Sequence, residues 1–287
     1  MLRSKKDEFL ELASSNNALE VIDLLPGVGK KGSAFRSRAV PPAPAWQMTL
    51  KRLFDIAIAS LFLVAVAPFM LLIAILIKLD SEGPVFYSQT RVGVNNRRMP
   101  SRRRGELLRR EMIGASDRRV ETPVNRRVQN SFGRMFKVLK FRTMRTDAEA
   151  NGKPKWCEVN DPRVTRIGAL LRKTHLDELP QLFNILMGDM SLVGPRPERP
   201  EFVRWLRNVT PAYEERLMVK PGLTGLAQIH HRADLELSDV KKKVRYDLLY
   251  LKRVSVWTDI KIILGTVPLV FGVSQNDLKK LDKKTLF

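Results

Sequence analysis

Two adjacent carboxylates, Asp177 and Glu178, are the residues of this sequence whose types and spacing best suit covalent chemistry. They stand just before Leu179 to Met187, where apolar residues recur with helical spacing, so we predict that the pair lies at the start of a helix, with Pro180 in its first turn. The unpaired N–H groups of a helix start favour negative charge, which would keep both side chains ionised. An ionised carboxylate can attack phosphorus, and its neighbour can hold a divalent cation. Acidic residues also occur there as caps alone, and spacing leaves both Thr174 and Asp177 open as the N-cap.

Cationic side chains are spread through the segments around this pair. Such side chains bind phosphate, so together they predict a site for a diphosphate, although each one alone is more typical of a solvated surface. The cations are Lys137, Lys140, Arg142, Arg163, Arg166, Arg172 and Arg196. Arg196 belongs to the stretch Gly194-Pro195-Arg196-Pro197, which predicts a rigid turn that presents this side chain at a fixed geometry, and the stretch 221–225 predicts a second turn.

Other common catalytic motifs are missing from the sequence. It contains no Walker A loop, GxGxxG motif, zinc-ligand spacing or Ser-His-Asp order. The three histidines, His175, His230 and His231, have no metal-ligand spacing with other donors. The acidic pair and its cations therefore remain the best candidate site.

The composition predicts an anionic partner. The 287 residues include 51 Lys and Arg against 30 Asp and Glu, a formal net charge of +21. A hydrophobic share of 44% excludes a disordered chain, and a charged share of 28% excludes a polytopic membrane protein. Because Cys157 is the only cysteine, the chain has no internal disulfide, which is typical of a reducing compartment.

A strongly apolar run indicates contact with a membrane. Ile56 to Ile77 contains 22 residues without a charge, and a straight helix of that length would reach about 33 Å, enough to cross a hydrocarbon core of about 30 Å. Pro68 lies near its centre and predicts a break, which would give two half-length arms that enter and leave on one side. A single spanning helix with a kink is the alternative, and the run alone does not decide between them.

An arginine-rich insertion covers residues 95–135. It carries twelve Arg and four acidic residues, a net charge of +8, and its only aromatic residue is Phe132. A solvated loop is one interpretation, and adhesion to acidic lipid headgroups is the other. Nucleic acid is a disfavoured partner, because aromatic residues for base stacking are not interleaved.

The remaining pattern predicts an α/β, mostly helical, monotopic membrane protein with little strand. Phe136 to Met144 alternates like a strand, and Thr165 to Leu171 has helical spacing. We divide the chain into an N-terminal arm (1–46), a membrane hairpin (47–80), a cytoplasmic catalytic domain (81–258) and a C-terminal interfacial helix and tail (259–287).

Six ordered blocks resemble the bacterial sugar transferases, the polyprenyl-phosphate hexose-1-phosphate transferases also called monotopic phosphoglycosyl transferases. The resemblance covers about residues 51–273. The blocks are KRLFD, PVFYSQTRVG, FKVLKFRTM, DPRVTRIG, LDELPQLFNILMGDMSLVGPRP and PGLTGLAQI. The resemblance implies transfer of a sugar 1-phosphate from a UDP-sugar to membrane polyprenyl (undecaprenyl) phosphate, with release of UMP. It also implies that the proline-broken hairpin is re-entrant.

Roles for individual residues follow from the resemblance. Asp177 would be the nucleophile that forms a phosphosugar-enzyme intermediate, and Glu178 its partner, with Mg²⁺ bound at this pair. Lys140 and Arg142 would neutralise phosphates, and Arg196 would contact the nucleotide. Arg163 and Arg172, two of the cations named above around the acidic pair, complete the predicted substrate-binding set.

Two departures from the family pattern concern His175, which stands where members commonly have Ser, and the arginine-rich insertion, at a junction that is usually short.

We expect an enzyme at the cytoplasmic face of a bacterial inner membrane, acting in exopolysaccharide, capsule or lipopolysaccharide assembly. A nucleic-acid binder tethered to the membrane and a non-catalytic membrane adaptor are the alternatives from other classes. No motif identifies the sugar, and a homodimer is left open.

Overall fold

The computed structural model describes residues 43–95, 133–148, 161–210, 212–230 and 237–270. Most of the arm 1–46, most of the insertion 95–135 and the tail after residue 270 lie outside the described residues, so the predictions made for them remain predictions.

The described chain is mostly helical, with two small sheets of two strands each, which agrees with the predicted class. The helices are α1 (Ala45–Asp80), α2 (Arg166–Thr174), α3 (Gln181–Met187), α4 (Pro200–Val209), α5 (Leu226–His230), α6 (Leu237–Leu251) and α7 (Val256–Val270). The strands are β1 (Phe86–Val92), β2 (Met135–Phe141), β3 (Ser191–Val193) and β4 (Gly222–Thr224), and two 3₁₀ turns cover Leu176–Glu178 and Tyr213–Met218.

Helix α1 is one element of 36 residues with Pro68 inside it. The structure therefore differs from the sequence-based prediction of a break that separates two shorter helices. Proline removes only one backbone donor and displaces the preceding turn, so residues on both sides of it can remain helical. Among the described residues, α1 is the one helix long and apolar enough to cross a membrane, and only 17% of its most apolar 18-residue window is buried within the protein.

Both ends of α1 bind the same domain through polar groups. Near its beginning, the buried Lys51 donates to Asp259 of α7 and to the carbonyl of Val193 in β3, and the buried Asp55 accepts from Leu192 N at 3.0 Å. At its end, Asp80 accepts from the backbone N–H of Ile167 in α2 at 3.0 Å. The apolar stretch between these ends exposes large side chains. Charged groups on either side of the apolar run are thus fixed to one body.

The first sheet pairs β1 and β2 antiparallel, with Tyr87 opposite Lys140. The predicted strand at Phe136 is confirmed, its alternation buries Phe136 and Val138, and Phe141 is buried at its end. Asn184 of α3 is fully buried and joins this strand to the helix: its Oδ1 accepts from Leu139 N and its Nδ2 donates to the Lys137 carbonyl. Strand β2 is therefore held beside the segment that carries the acidic pair.

The second sheet pairs β3 and β4 in parallel and brings the two predicted turns together. Gly194 N donates to the Thr224 carbonyl, and Gly222 N donates to the Pro195 carbonyl. A Cβ on Gly222 would lie 2.1 Å from Gly194 N, so this approach requires glycine. The turn that contains Arg196 is thereby fixed against its neighbour.

The helix predicted at Thr165 is also confirmed. Thr165 is the N-cap of α2, and its hydroxyl accepts from Gly168 N at 3.0 Å. Helix α7 packs against α1, and its Lys261 is exposed.

Candidate active site

The acidic pair lies in the 3₁₀ turn Leu176–Glu178, between α2 and α3. Helix α3 begins at Gln181 with Pro180 as its N-cap, so the prediction that the pair occupies the start of this helix is wrong by one turn. Neither candidate N-cap serves α3: Thr174 is the last residue of α2, where its hydroxyl donates to the Leu170 carbonyl at 2.8 Å. The left-handed backbone of His175, with φ of 58°, ends α2 and starts the turn. In this turn, backbone N–H groups donate to carbonyls three residues earlier, from Glu178 N to His175 and from Leu179 N to Leu176. These N–H groups are therefore not left unpaired, as they would be at the start of an α-helix.

Glu178 is paired with two cations. Its Oε1 accepts from Lys140 Nζ at 2.6 Å and from Arg196 NH2 at 2.7 Å. Burial of this carboxyl opposes ionisation, but Arg196 and Lys140 outweigh burial and hold the pKa of Glu178 well below its usual range. Glu178 is therefore a permanent anion that fixes two cations around itself.

Asp177 has a different environment. The residue is 8% exposed, and its Oδ2 lies 3.6 Å from Lys140 Nζ. Burial raises the pKa of Asp177 above its usual value, with a further rise from Glu178 and an opposing effect of Lys140 and Arg172. The expectation that a helix start keeps both carboxylates readily ionised does not describe this side chain, whose ionised form depends on the nearby cations.

Arg196 reaches the acidic pair from the second sheet. Its side chain is 44% exposed, so its guanidinium faces both Glu178 and solvent. The backbone carbonyl of Arg196 accepts from Arg216 NH2 at 3.0 Å. The predicted role of the turn, to present Arg196 at a fixed geometry, agrees with these contacts.

Arg172 lies near the site. Its Nε donates to Thr143 Oγ1 at 2.9 Å, just beyond the end of β2, and its charge lowers the pKa of Asp177. Gly168 makes this approach of α2 feasible, because a Cβ there would lie 2.1 Å from the Thr143 carbonyl oxygen.

Two predicted phosphate-binding arginines have other partners. Arg142 is buried and donates to the carbonyls of Ser81 and Glu82, directly after α1, so its guanidinium serves the end of that helix. Strand β2 ends at Phe141, which is why Arg142 does not continue the direction of Lys140. Arg163 forms a two-point ion pair with Asp161, with Nε to Oδ1 at 2.8 Å and NH2 to Oδ2 at 2.5 Å. The described contacts of Arg142 and Arg163 go to these partners and not to the acidic pair.

The sequence reasoning missed the residues that support the cluster. Asn184 positions β2, and Arg216 with Asp247 supports the Arg196 turn. A polar residue on the apolar side of a helix, such as Asn184, was the one available signal, since it predicts a buried amide that bonds to a backbone.

The cluster is suited to binding a phosphorylated anion beside a carboxylate. Asp177, Glu178, Lys140 and Arg196 come from three separate segments and lie within direct contact of one another. Among the described residues, no group of three or more His, Cys, Asp and Glu could hold a metal ion. Within the described part of the chain, a metal here would take its protein ligands from Asp177 and Glu178, an arrangement that fits Mg²⁺, which commonly uses one or two carboxylates plus substrate phosphates and water.

Comparison with known proteins identifies the family of the chain. A family model described as "Bacterial sugar transferase" matches residues 46–103 and 117–273. The chain is 39% identical over 231 residues to the undecaprenyl-phosphate glucose phosphotransferase of Komagataeibacter xylinus, covering 79% of this chain and 36% of that protein. It is 38% identical over 220 residues to the UDP-glucose:undecaprenyl-phosphate glucose-1-phosphate transferase of Escherichia coli (strain K12), covering 76% and 39%.

A third relative has a similar length. The exopolysaccharide production protein PSS of Rhizobium leguminosarum bv. phaseoli is 38% identical over 227 residues, covering 77% of this chain and 94% of that protein. The chain spans less than half of the length of the first two relatives and nearly all of the third. Because the family model covers most of the described fold and includes every residue of the candidate site, the chain belongs to the bacterial sugar transferase family.

Proposed function

We propose that the protein transfers a sugar 1-phosphate from a UDP-sugar to membrane undecaprenyl phosphate, in the first membrane step of exopolysaccharide, capsule or lipopolysaccharide assembly. The observation that carries the proposal is the buried Asp177 beside a Glu178 that is held by Lys140 and Arg196. The names of the relatives, which are undecaprenyl-phosphate sugar phosphotransferases, support the same substrates.

In the first step, an Asp177 oxygen attacks the phosphorus that bears the sugar. A bond forms between that oxygen and phosphorus, and the bond from this phosphorus to the bridging oxygen of the diphosphate breaks. UMP leaves with the bridging oxygen and the electron pair. The sugar phosphate is then held as an acyl phosphate on Asp177.

In the second step, a phosphate oxygen of undecaprenyl phosphate attacks the same phosphorus. The bond to Asp177 breaks, the carboxylate is restored, and undecaprenyl diphosphate sugar leaves. Two displacements at one phosphorus let a water-soluble donor and a lipid acceptor use the same site in turn.

The cations of the cluster offset the charge of these phosphates. Lys140 contacts both carboxylates, and the half-exposed Arg196 can turn part of its donor set toward the nucleotide phosphate. Positioned cations stabilise the negative charge that builds up on the phosphate oxygens during phosphoryl transfer. Arg172 adds a further positive charge on the Asp177 side.

Mg²⁺ is the proposed cofactor. Asp177 and Glu178 would hold it, and when bound it would neutralise diphosphate oxygens as a Lewis acid. Lys140 and Arg196 both donate to Glu178 Oε1, and these two bonds do not use Glu178 Oε2.

We further propose that α1, one helix bent at Pro68, is re-entrant, so that both of its ends lie on one side of the membrane, and that the domain lies at the cytoplasmic face of a bacterial inner membrane. Lys51, Asp55 and Asp80 all bond to one domain, which supports a chain that enters and leaves on one side. Helix α7 would rest in the interface beside α1, since it packs on α1 while Trp257 and Leu264 are exposed. The acceptor phosphate is fixed at the headgroup level, where a site next to α1 can reach it.

The experiment is a turnover assay on detergent-solubilised protein with undecaprenyl phosphate, Mg²⁺ and either UDP-glucose or UDP-N-acetylgalactosamine. UMP release should occur with at least one donor and fall by more than about a thousandfold in Asp177→Asn, because the amide cannot act as the nucleophile. Asp189→Asn, at the other end of α3, is the matched control and should retain wild-type turnover. Full turnover by Asp177→Asn would refute the assigned nucleophile.

A further inference from the structure

We propose that Arg216 is a positioning residue for the reaction: it fixes the backbone of Arg196 and so sets the direction from which the Arg196 guanidinium meets Glu178 and the donor diphosphate. The inference rests on the proposed function, because it assumes that Arg196 binds the nucleotide sugar.

Arg216 contacts the backbone of Arg196 directly. Its NH2 donates to the Arg196 carbonyl at 3.0 Å. The Arg196 side chain then extends from the same residue to Glu178, at 2.7 Å. Any rotation of the peptide after Arg196 would move this guanidinium, and a displacement of about 1 Å in a positioning group can cost about a hundredfold in rate.

Arg216 is itself held on its other donors. NH1 donates to Tyr213 Oη at 2.8 Å, and Nε lies 2.9 Å from Asp247 Oδ2 of α6. Arg216 is 7% exposed, Asp247 2% and Tyr213 1%, so the three form a buried unit. A guanidinium is suited to this task because its donors lie in a rigid plane and can serve three partners at once, which an ammonium group cannot.

The rest of the turn is fixed by other groups. The Pro195 carbonyl accepts from Gly222 N at 3.0 Å, the Pro197 carbonyl from Arg91 NH1 at 3.3 Å, and the Glu198 carbonyl from Val92 N at 3.0 Å. These bonds hold the turn on both sides of residue 196. Arg216 supplies the bond at residue 196 itself, so its loss should disturb the orientation of Arg196 without releasing the whole turn.

Burial also separates this role from direct binding. The described contacts of Arg216 go to Arg196, Tyr213 and Asp247, and the side chain lies behind the turn, whereas Arg196 is 44% exposed. Arg216 can therefore affect the donor through Arg196. A change at residue 216 should then matter only as long as residue 196 is an arginine.

The test measures KM for the UDP-sugar and kcat on the full chain in detergent, with UMP release as the readout. Arg216→Lys keeps a positive charge beside Asp247 but removes the planar guanidinium that bonds to the Arg196 carbonyl. We expect KM to rise about tenfold, the effect of one charge-assisted hydrogen bond, with a smaller change in kcat. Lys242→Gln is the control, because this exposed side chain of α6 pairs with Asp239 and lies outside the Arg216 unit, and it should leave KM unchanged.

A double-mutant cycle with Arg196→Met separates positioning from general stability. In the Arg196→Met background, Arg216→Lys should cause no additional rise in KM, since no guanidinium remains to be oriented. An unchanged KM in Arg216→Lys, or a full tenfold rise on top of Arg196→Met, would overturn the inference. If Arg216→Lys does not fold, the double variant Arg216→Gln with Asp247→Asn removes both buried charges together. The same changes in KM are then expected of this double variant, and the same results would overturn the inference.

The outcomes also distinguish the two proposals. Wild-type protein that releases no UMP from any donor would refute the proposed function and the positioning role with it. If the wild type releases UMP and Arg216→Lys has the KM of the wild type, only the positioning role is overturned.

Discussion

The two neighbouring carboxylates of the site differ because their partners differ. Glu178 accepts from both Lys140 and Arg196, and the cations hold its pKa well below the usual range. Asp177 is buried with Lys140 at 3.6 Å, and burial raises its pKa. A carboxylate that accepts hydrogen bonds from two cations is a poor nucleophile, whereas a buried carboxylate whose nearest cation lies 3.6 Å away is a better one. The environment thus supports Asp177 as the attacking group and Glu178 as the residue that orders the cations.

The buried Asp247 predicts a pH-dependent contribution to stability. Burial raises the pKa of Asp247 to about 6 from its ordinary value of 3.8, although Arg216 opposes the rise. Between these values the folded state binds more protons than the unfolded state, so this contribution is fully present below about pH 4 and is lost as the pH rises through 6. The difference in melting temperature between wild type and Asp247→Asn, measured in detergent from pH 4 to 7, should shift against the wild type as the pH rises. A difference that stays constant over this range would contradict the assignment.

Arg142 should matter for stability rather than for donor binding. It donates to the carbonyls of Ser81 and Glu82 after α1, and we expect Arg142→Met to lower the free energy of unfolding by about 2 kcal/mol, the effect of lost charge-assisted bonds. KM for the UDP-sugar should remain that of the wild type. Arg196→Met, assayed beside it, should show the reverse pattern. A large rise in KM for Arg142→Met without a loss of stability would restore the sequence-based role of this residue.

Residue types predicted part of the site. The acidic pair, Lys140 and Arg196 were identified from motifs, and the structure brings them into contact. Arg142 and Arg163 were grouped with them because charge and proximity in sequence do not show where a long side chain turns. Their partners, Ser81 and Asp161, could be identified only from the fold.

At the scale of elements, local patterns predicted the regular pieces. Strand β2 follows the alternation of Phe136 and Val138, and α2 begins at its Thr165 cap. The 3₁₀ turn at the acidic pair was not predicted, because its formation depends on the left-handed His175 and on i→i+3 bonds that a helical spacing rule ignores. Tertiary contacts, such as those of Asn184, decide which face of each element meets the site.

The arrangement of α1 predicts that its two ends lie on one side of the membrane. Thr49→Cys and Lys78→Cys, each in a Cys157→Ser background, place an exposed thiol before and after the apolar run. Both should react with a membrane-impermeant maleimide in inverted inner-membrane vesicles and resist it in intact spheroplasts. Lys173→Cys, on the exposed face of α2, is the control for the cytoplasmic side. Opposite labelling of residues 49 and 78 would show a spanning helix instead.

For the whole molecule, charge and apolar surface act together. The net charge of +21 draws the chain toward anionic phosphates and lipids, and the exposed apolar surface of α1 provides the hydrophobic contact. Helix α7 extends this surface, since Trp257 is 76% exposed and the helix packs on α1. If the proposed function is correct, a site built from the 3₁₀ turn Leu176–Glu178, β2 and the turn after β3 would receive one substrate from water and the other from lipid.

The arginine-rich insertion predicts selectivity for acidic membranes. Its net charge of +8 should increase retention on liposomes as the fraction of anionic lipid rises, with weaker retention at high salt. In a liposome flotation assay, the rise of retention with anionic lipid should be smaller for a chain without residues 96–132. It should also be smaller for the variant with Arg102, Arg103 and Arg104 changed to Gln. Vesicles of neutral lipid are the control, on which all three proteins should float equally. Retention on acidic vesicles that is insensitive to both changes would end this interpretation.

The most direct measurement of the central proposal is mass spectrometry of the acid-quenched reaction with UDP-sugar and no acceptor. The peptide that contains Asp177 should gain the mass of one sugar phosphate, and the gain should disappear when undecaprenyl phosphate is added before the quench. Steady formation of undecaprenyl diphosphate sugar by protein whose Asp177 peptide never carries this mass would contradict the account.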